Sequence, residues 1–357
     1  MKKHAIIPIF IPHRGCPNDC VFCNQRKITA RTDDVSPEDA KQIIETWLTT
    51  LRPDPSDKTG GIVEAAFYGG SFTGLTIAEQ SGFLRVAKEY KDRGQIDKIH
   101  LSTRPDYIDR EILDNLRAYD VDTIELGVQS FDDDVLAASN RGHTVEDVYR
   151  AVKLIKEYGF ELGIQLMIGL PGDSLESCMM SARETVKLQP SLARLYPTIV
   201  LDDTELYEMY MRGEYTPLSR EEAVSRTKEM YRILDDAGIT IMRVGLKSTD
   251  IIGEGGAING GTYHPAFRQL VEGELARDRI RELLDDYIKS SPAGEPQDSN
   301  NISELTVYSN SHWFSNMIGH KAGNRKYFSE AYPGLKISYA VDDSLGNGQF
   351  ILSNTMK

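Results

Sequence analysis

The chain has 357 residues, room for two domains or for one large α/β barrel with an appendage. Forty per cent of the residues are apolar, enough for a substantial core, and no run approaches the roughly 18 consecutive apolar residues of a membrane span. With 41 Lys and Arg against 54 Asp and Glu, the net charge of −13 excludes a protein that coats nucleic acid over its whole surface.

The predicted elements alternate along the chain. "HAIIPIFI" (4–11) is a short continuous apolar run, as expected of a strand buried on both faces. A loop with three cysteines follows. Ser36, Pro37 and Asp39 then start a helix, with Ile43, Ile44, Trp47, Leu48 and Leu51 at helical spacing. Strands at 62–70, 96–102, 121–129, 160–170 and 191–200 continue the series, with helices at 76–92, 109–118, 145–158 and 176–188 between them. Strands that each lead into a helix or crossover imply a parallel sheet. Right-handed crossovers curl such a sheet into a partial (β/α)6 barrel of the TIM type.

Asp132, Asp133 and Asp134 fit a helix N-terminus rather than a metal site. Ser219 with Glu222 opens a further helix by a capping box, and 239–246 looks like a strand beyond the six. From about 247 the rhythm breaks into a Gly-rich run (253–261), a charged helix near 265–289, a polar linker (290–301) and short strands around one helix. The expected domains are therefore 1–246, the partial barrel, and 247–357, a small α+β extension.

Four cysteines, three of them between 16 and 23, are not a disulfide framework; they point to a reducing compartment and a metal or redox centre. No small-residue cleavage site precedes them, so no signal peptide is expected and the expected location is cytoplasmic. Cys16, Cys20 and Cys23 stand as CxxxCxxC on the loop after the first strand. Three thiolates can ligate three irons of a [4Fe–4S] cluster and leave the fourth open to a small molecule. The molecule usually found there is S-adenosylmethionine (SAM), chelating through its amino and carboxylate groups. A zinc site completed by His13 is the rival reading, and a chance grouping of unrelated thiols is another. Cys178 reads as a small buried hydrophobe, and His143 and His264 as structural histidines.

CxxxCxxC with Phe22 before the third cysteine resembles the radical SAM superfamily. "FYGGSFTG" (67–74), "STRPDY" (102–107), "ELGVQSFDDDVL" (125–136), "NRGHT" (140–144), "GLPGD" (169–173) and "LYPTIVLDDTELYEMY" (195–210) are similar, in the same order, to the radical SAM half of the Elongator catalytic subunit family. "GVQSF", with Arg141 twelve residues after Gln129, is also similar to oxygen-independent coproporphyrinogen oxidases. Elongator catalytic subunits carry a C-terminal acetyltransferase domain and a basic N-terminal extension. The sequence resembles the shorter bacterial members without that domain.

The resemblance implies that Cys16, Cys20 and Cys23 hold the cluster and that Gly69, Gly70 and Ser71 receive the SAM amino group. Ser102 and Arg104 end the third strand, where Arg104 is a candidate either to pair with the SAM carboxylate or to form an ion pair at the barrel mouth. Gln129, Ser130 and Arg141 would contact the ribose and carboxylate, Phe22 would lean on the adenine side, and Gly169 to Gly172 would border the adenine. It further implies an enzyme whose cluster is reduced by an external electron donor of the flavodoxin or ferredoxin type, after which SAM is cleaved to a hydrogen-abstracting 5′-deoxyadenosyl radical.

A tRNA base is one expected substrate, by the Elongator resemblance. A small metabolite or tetrapyrrole is a second, favoured by the acidic charge, and a non-catalytic tetrapyrrole or Fe–S carrier is a reading of another class. Tyr196, ending the sixth strand, is a candidate to orient substrate. Residues 305–329 have no carboxylate, carry Lys321, Arg325 and Lys326, and interleave Tyr308, Trp313, Phe314, Tyr327 and Phe328, a pattern suited to looped or single-stranded RNA.

Overall fold

Seven apolar runs that alternate with helices become seven parallel strands. The structure is a computed structural model describing residues 4–11, 16, 20–24, 35–52, 61–246, 258–261, 263–290 and 303–354. His13, the first part of the Gly-rich run and nearly all of the expected polar linker lie outside these residues. The strands are β1 (His4–Ile11), β2 (Ile62–Gly69), β3 (Lys98–Thr103), β4 (Thr123–Gln129), β5 (Glu161–Ile168), β6 (Leu192–Pro197), β7 (Ile199–Leu201) and β8 (Thr240–Val244), with the main sheet in the order β1-β2-β3-β4-β5-β6-β8.

The crossover helices are α1 (Pro37–Leu51), α2 (Ile77–Asp92), α3 (Arg110–Ala118), α4 (Asp133–Ala138), α5 (Val145–Glu157), α6 (Leu175–Lys187), α7 (Glu205–Met211) and α8 (Arg220–Asp236). Their starts are encoded locally. Ser36/Asp39, Thr76/Glu79, Thr144/Asp147, Ser174/Ser177 and Ser219/Glu222 all form capping boxes. Asp132 caps α4 by accepting from the backbone of Asp134 and Val135, and Asp133 accepts from Val145 N at 2.8 Å. The three aspartates thus serve helix starts.

The sheet is curled. Arg194 on β6 donates a hydrogen bond to the hydroxyl of Tyr68 on β2, although four strand spacings separate those strands along the sheet. In a flat sheet that separation would be roughly 19 Å. The contact therefore crosses a lumen, and the sheet is a half-barrel.

One expectation is corrected, and the strand expected beyond the six is present. The single strand expected at 191–200 is two: Pro197 ends β6, Thr198 N donates to Ile168 O at 2.8 Å, and β7 turns away to pair antiparallel with β9 (Ile258–Gly261). The reason is the missing proline N–H at the end of a ladder. The run at 239–246 is β8, which joins the main sheet beside β6 and makes it seven-stranded.

The chain divides into two compact units, Met1–Arg226 with Ile233–Pro265, and Thr227–Arg232 with Ala266–Lys357. In the second unit α9 (Phe267–Ser290) carries buried Val271, Leu275, Ile280 and Leu284. β10 (Ser303–Ser309) lies between β11 (Leu335–Val341), parallel to it, and β12 (Ile351–Asn354), antiparallel to it. Two helices, α10 (Phe314–Ile318) and α11 (Gly323–Ala331), stand between β10 and β11 where one was expected. Buried Glu272 in this unit is met by Tyr231, Arg268 and Asn316 at 2.7 to 3.2 Å, as a buried carboxylate requires.

Candidate active site at the carboxyl ends of the strands

The cysteine loop is tied down by backbone bonds. Cys23 N donates to Cys20 O at 2.9 Å, Val21 N to Ser139 O at 3.1 Å, and Leu206 N to Val21 O at 2.7 Å. Phe22 packs on the apolar group of Val21, Val200, Leu206 and Tyr215. Cys20 is buried, Cys16 and Cys23 are half-buried, and all four cysteines are thiols rather than disulfides.

Two guanidinia stand by. Arg141 places Nη1 3.5 Å from Cys20 Sγ and donates from Nη2 to Gly127 O at 2.7 Å. Arg104 donates from Nε and Nη2 to the two carboxylate oxygens of Asp106, at 2.9 and 2.8 Å. Burial opposes the charge of Arg104, but Asp106 and then Cys16 and Cys20 raise its pKa. Burial, with Arg141 and Arg104 behind it, pushes the His143 ring down to about 3, so it is neutral at neutral pH.

A cluster implied by such a loop fits these residues by donor chemistry. Three thiols stand on one loop, Arg141 lies beside that of Cys20, and Arg141 Nε is a buried N–H without a hydrogen-bond partner among the described residues, which a bound polar group would satisfy. No three His, Cys, Asp or Glu side chains among the described residues are already drawn together as a metal-binding set. Cys178 is not a fourth candidate. Its thiol donates to Asp173 at 3.1 Å, and burial and that carboxylate raise its pKa, which keeps it protonated.

The other expected contacts ring the same end of the half-barrel. Gly69 has φ +111°, and a Cβ there would come 2.8 Å from Ile11 O; glycine is required by the close approach of β1. Gly70 N donates to Ile11 O at 2.8 Å. The Ser71 hydroxyl bonds Thr103 and accepts from Arg104 N, that of Ser102 donates to Glu125 at 2.9 Å, and that of Ser130 accepts from Asp132 N. These three hydroxyls are engaged within the chain.

Gln129, buried at the end of β4, has φ +70°, a strained setting for a residue with a side chain. Its Oε1 accepts from Gln165 at 3.1 Å. A Cβ at Gly127 would lie 2.9 Å from the Gln129 amide nitrogen and 3.0 Å from Arg141 Nη2, so Gly127 leaves the room in which those two side chains converge. Gly169 and Gly172 both have positive φ, and the turn is held by Tyr215, whose hydroxyl donates to Gly169 O at 2.6 Å, and by Asp173, which accepts from Gly169 N at 2.7 Å.

Sequence reasoning missed the inner wall. Glu64, His100, Glu125 and Arg194 are 2, 0, 1 and 8 % exposed and form a chain of ion pairs inside the half-barrel. Glu64 lies 2.8 Å from His4 and 2.5 Å from His100, and Glu125 lies 2.8 Å from Arg194 Nε. Tyr196, half-buried, bonds the same guanidinium. The available signal was a single charged residue in each of several strands that should be apolar on both faces.

In the second unit Lys321, Arg325 and Lys326 are exposed, with Lys326 3.8 Å from Glu330. Trp313 and Phe328, however, are 3 and 0 % exposed and belong to the core, where Trp313 meets Phe350 edge-on. The expected aromatic surface is reduced by those two rings, because a small unit needs its largest apolar side chains inside.

Comparison with known proteins agrees with this geometry. Residues 10–184 match the radical SAM superfamily, and residues 190–277 match the radical SAM C-terminal domain. The chain is 32 % identical over 190 residues to the tRNA uridine(34) acetyltransferase of Methanocaldococcus infernus, covering 48 % of this chain and 35 % of that one. It is 29 % identical over 255 residues to the Methanocaldococcus jannaschii protein of the same name, covering 62 % and 47 %. Against human Elongator complex protein 3 the identity is 31 % over 182 residues, 45 % of this chain and 33 % of that one. The chain thus matches between a third and a half of the length of these relatives. The structure of Methanocaldococcus infernus Elp3 lacking its N-terminus superposes with a TM-score of 0.61 at 24 % identity, over 79 % of this chain and 64 % of that one, and so shares the fold. No helix among the described residues is long and apolar enough to cross a membrane. With three thiols on the loop after β1, a parallel half-barrel behind them and both radical SAM domains matched in order along the sequence, the chain is an enzyme of the radical SAM superfamily.

Proposed function

We propose that the chain holds a [4Fe–4S] cluster on Cys16, Cys20 and Cys23 and binds SAM between that loop and the carboxyl ends of β2 to β5. The cluster and SAM, when bound, supply a 5′-deoxyadenosyl radical that can take hydrogen from a substrate. The observation that carries the reading is the three-thiol loop beside Arg141.

In this reading Arg141 and Arg104 compensate the negative charge of thiolates and of a SAM carboxylate. Gln129, with Ser130 beside it, lines the ribose side. Phe22 and the apolar group beneath it exclude water from the reacting end. Gly69, Gly70 and Ser71 border the amino group, and Gly169 the adenine. An external one-electron donor of the flavodoxin or ferredoxin type supplies the electron.

The substrate reading follows the relatives: a uridine of tRNA, with Lys321, Arg325 and Lys326 as candidate phosphate contacts and Tyr196 as a candidate substrate contact. A small metabolite or tetrapyrrole is the second reading, favoured by the net charge of −13. The test is anaerobic purification. The expected protein is brown with about four irons per chain, loses both on Cys→Ala change at 16, 20 or 23, and releases 5′-deoxyadenosine with dithionite and SAM. A colourless protein with one tightly bound zinc overturns the reading. Release that responds to tRNA separates the two substrates.

A further inference from the structure

The inner wall of the half-barrel carries charge that no cluster or SAM contact uses. Buried charges are costly unless they are paired, and here the pairing converges on one group. Glu125 receives Ser102 Oγ at 2.9 Å on one oxygen and faces Arg194 Nε at 2.8 Å with the other. Arg194 in turn donates from Nη2 to the Tyr68 hydroxyl, and its guanidinium lies 4.5 Å above the Tyr68 ring centre. The His100 ring meets Tyr68 edge-on at 5.6 Å between centroids, and His100 is itself fixed by Glu64. Ring and oxygen of Tyr68 are therefore held from separate sides.

A phenol that accepts from Arg194 still has its own proton to donate, and no acceptor for it appears among the described residues. Burial, only partly offset by Arg194, raises the Tyr68 pKa, so the proton stays on the oxygen. Tyr68 directly precedes Gly69 and Gly70. With Ile11, Gly70, Phe72 and Ser102 it lines a small open cleft at the carboxyl ends of β1, β2 and β3, the barrel face at which ligands collect. The charge of Arg194 is already met by Glu125, and the described residues that line the cleft offer no cation for a phosphate or carboxylate. Phe10, 6.1 Å from the Tyr68 ring, adds a flat apolar neighbour. The ligand that suits this wall is neutral, planar and rich in carbonyl oxygen.

We propose that Tyr68 is a substrate-facing hydrogen-bond donor, which offers its O–H to a carbonyl oxygen of a pyrimidine base at the mouth of the half-barrel, with Arg194 and Glu125 as positioning residues. The inference rests on the radical SAM reading with a nucleobase as substrate.

The test uses the full chain, reconstituted anaerobically. Release of 5′-deoxyadenosine is followed with SAM, dithionite and increasing amounts of an unmodified tRNA transcript carrying uridine at position 34. Tyr68→Phe removes only the O–H. The half-saturating transcript concentration is expected to rise about two- to tenfold, the worth of one hydrogen bond, while iron content and SAM affinity by equilibrium dialysis are retained. Arg194→Lys keeps a charge for Glu125 but loses the fork. It should reproduce the rise, and the double variant should be no worse than either single one, because both act through the same bond. A Tyr68→Phe protein that saturates like wild type, or losses that simply add in the double variant, overturns the inference. Wild-type release that ignores the transcript overturns it too and leaves the radical SAM reading standing, whereas wild-type protein without iron and without 5′-deoxyadenosine overturns both.

Discussion

The two faces of the same strands both carry deeply buried side chains and are built on opposite principles. On β3, β4 and β5 one face carries Ile99, Leu101, Ile124, Leu126, Ile164 and Leu166, apolar and almost wholly inaccessible. The other face, with β2 and β6, carries Glu64, His100, Glu125 and Arg194. An apolar side chain contributes by its own area, wherever its neighbours are. A buried charge contributes only together with its partner, so the inner face stands or falls as a set.

The largest expected effect breaks that set. Arg194→Met leaves Glu125 buried without a countercharge and should cost about 3–5 kcal/mol in urea unfolding. Adding Glu125→Leu should recover more than half of the loss, because two apolar side chains replace the ion pair at little cost. A double variant as unstable as the single one would show that the two charges do not act together. On the apolar face Leu126→Ala should cost about 2–5 kcal/mol, and no second substitution on the lumen side should recover it.

The inner face also makes stability depend on pH. Burial pushes the Glu64 carboxyl up, but the bonds from His100 and His4 outweigh it and hold the group at about 2, against an ordinary 4.5. A depressed carboxyl stabilises the fold above its unfolded value, and that contribution is lost as pH falls from 4.5 towards about 2. His143 adds to the same trend. The unfolded chain binds its proton near pH 6.5 while the folded ring resists to about 3, so stability declines below 6.5. The urea midpoint should therefore be level above neutrality, fall below 6.5, and lose its steepest acid limb in Glu64→Gln. A midpoint that stays level from neutral pH through 4.5 contradicts the His143 assignment, and one that shows no further fall below 4.5 contradicts that of Glu64. The smallest effect is local: Thr144→Ala removes the cap of α5 and should cost about 1 kcal/mol by the same measurement.

What was legible in the sequence follows the range of the forces involved. The parallel strands announce themselves as continuous apolar runs, and the helix starts as capping boxes, because both signals lie within a few residues. The CxxxCxxC loop is legible for the same reason. The split at Pro197 needed the partner strand β9, some sixty residues on, to be understood. The fork of Arg104 is taken by Asp106, only two residues away, yet the rotamer that makes this pair is set by the packed barrel. Trp313 and Phe328 looked like an RNA platform because composition does not say which side of a small unit is the core. The inner wall was the least legible of all, since each of its charges, taken alone in its strand, looks like an exception.

The contact between Tyr68 and Arg194 also has a consequence for the order of events. The two residues are 126 positions apart in sequence. They cannot meet until β2 through β6 have paired and the sheet has bent, and loop closure over that distance is unfavourable until many nearer contacts already exist. The bond across the lumen is therefore a late event in folding and an early one in unfolding. Weakening it should accelerate unfolding and leave the folding rate nearly unchanged. The seam along which this half-barrel first comes open runs between the two strands that share no edge.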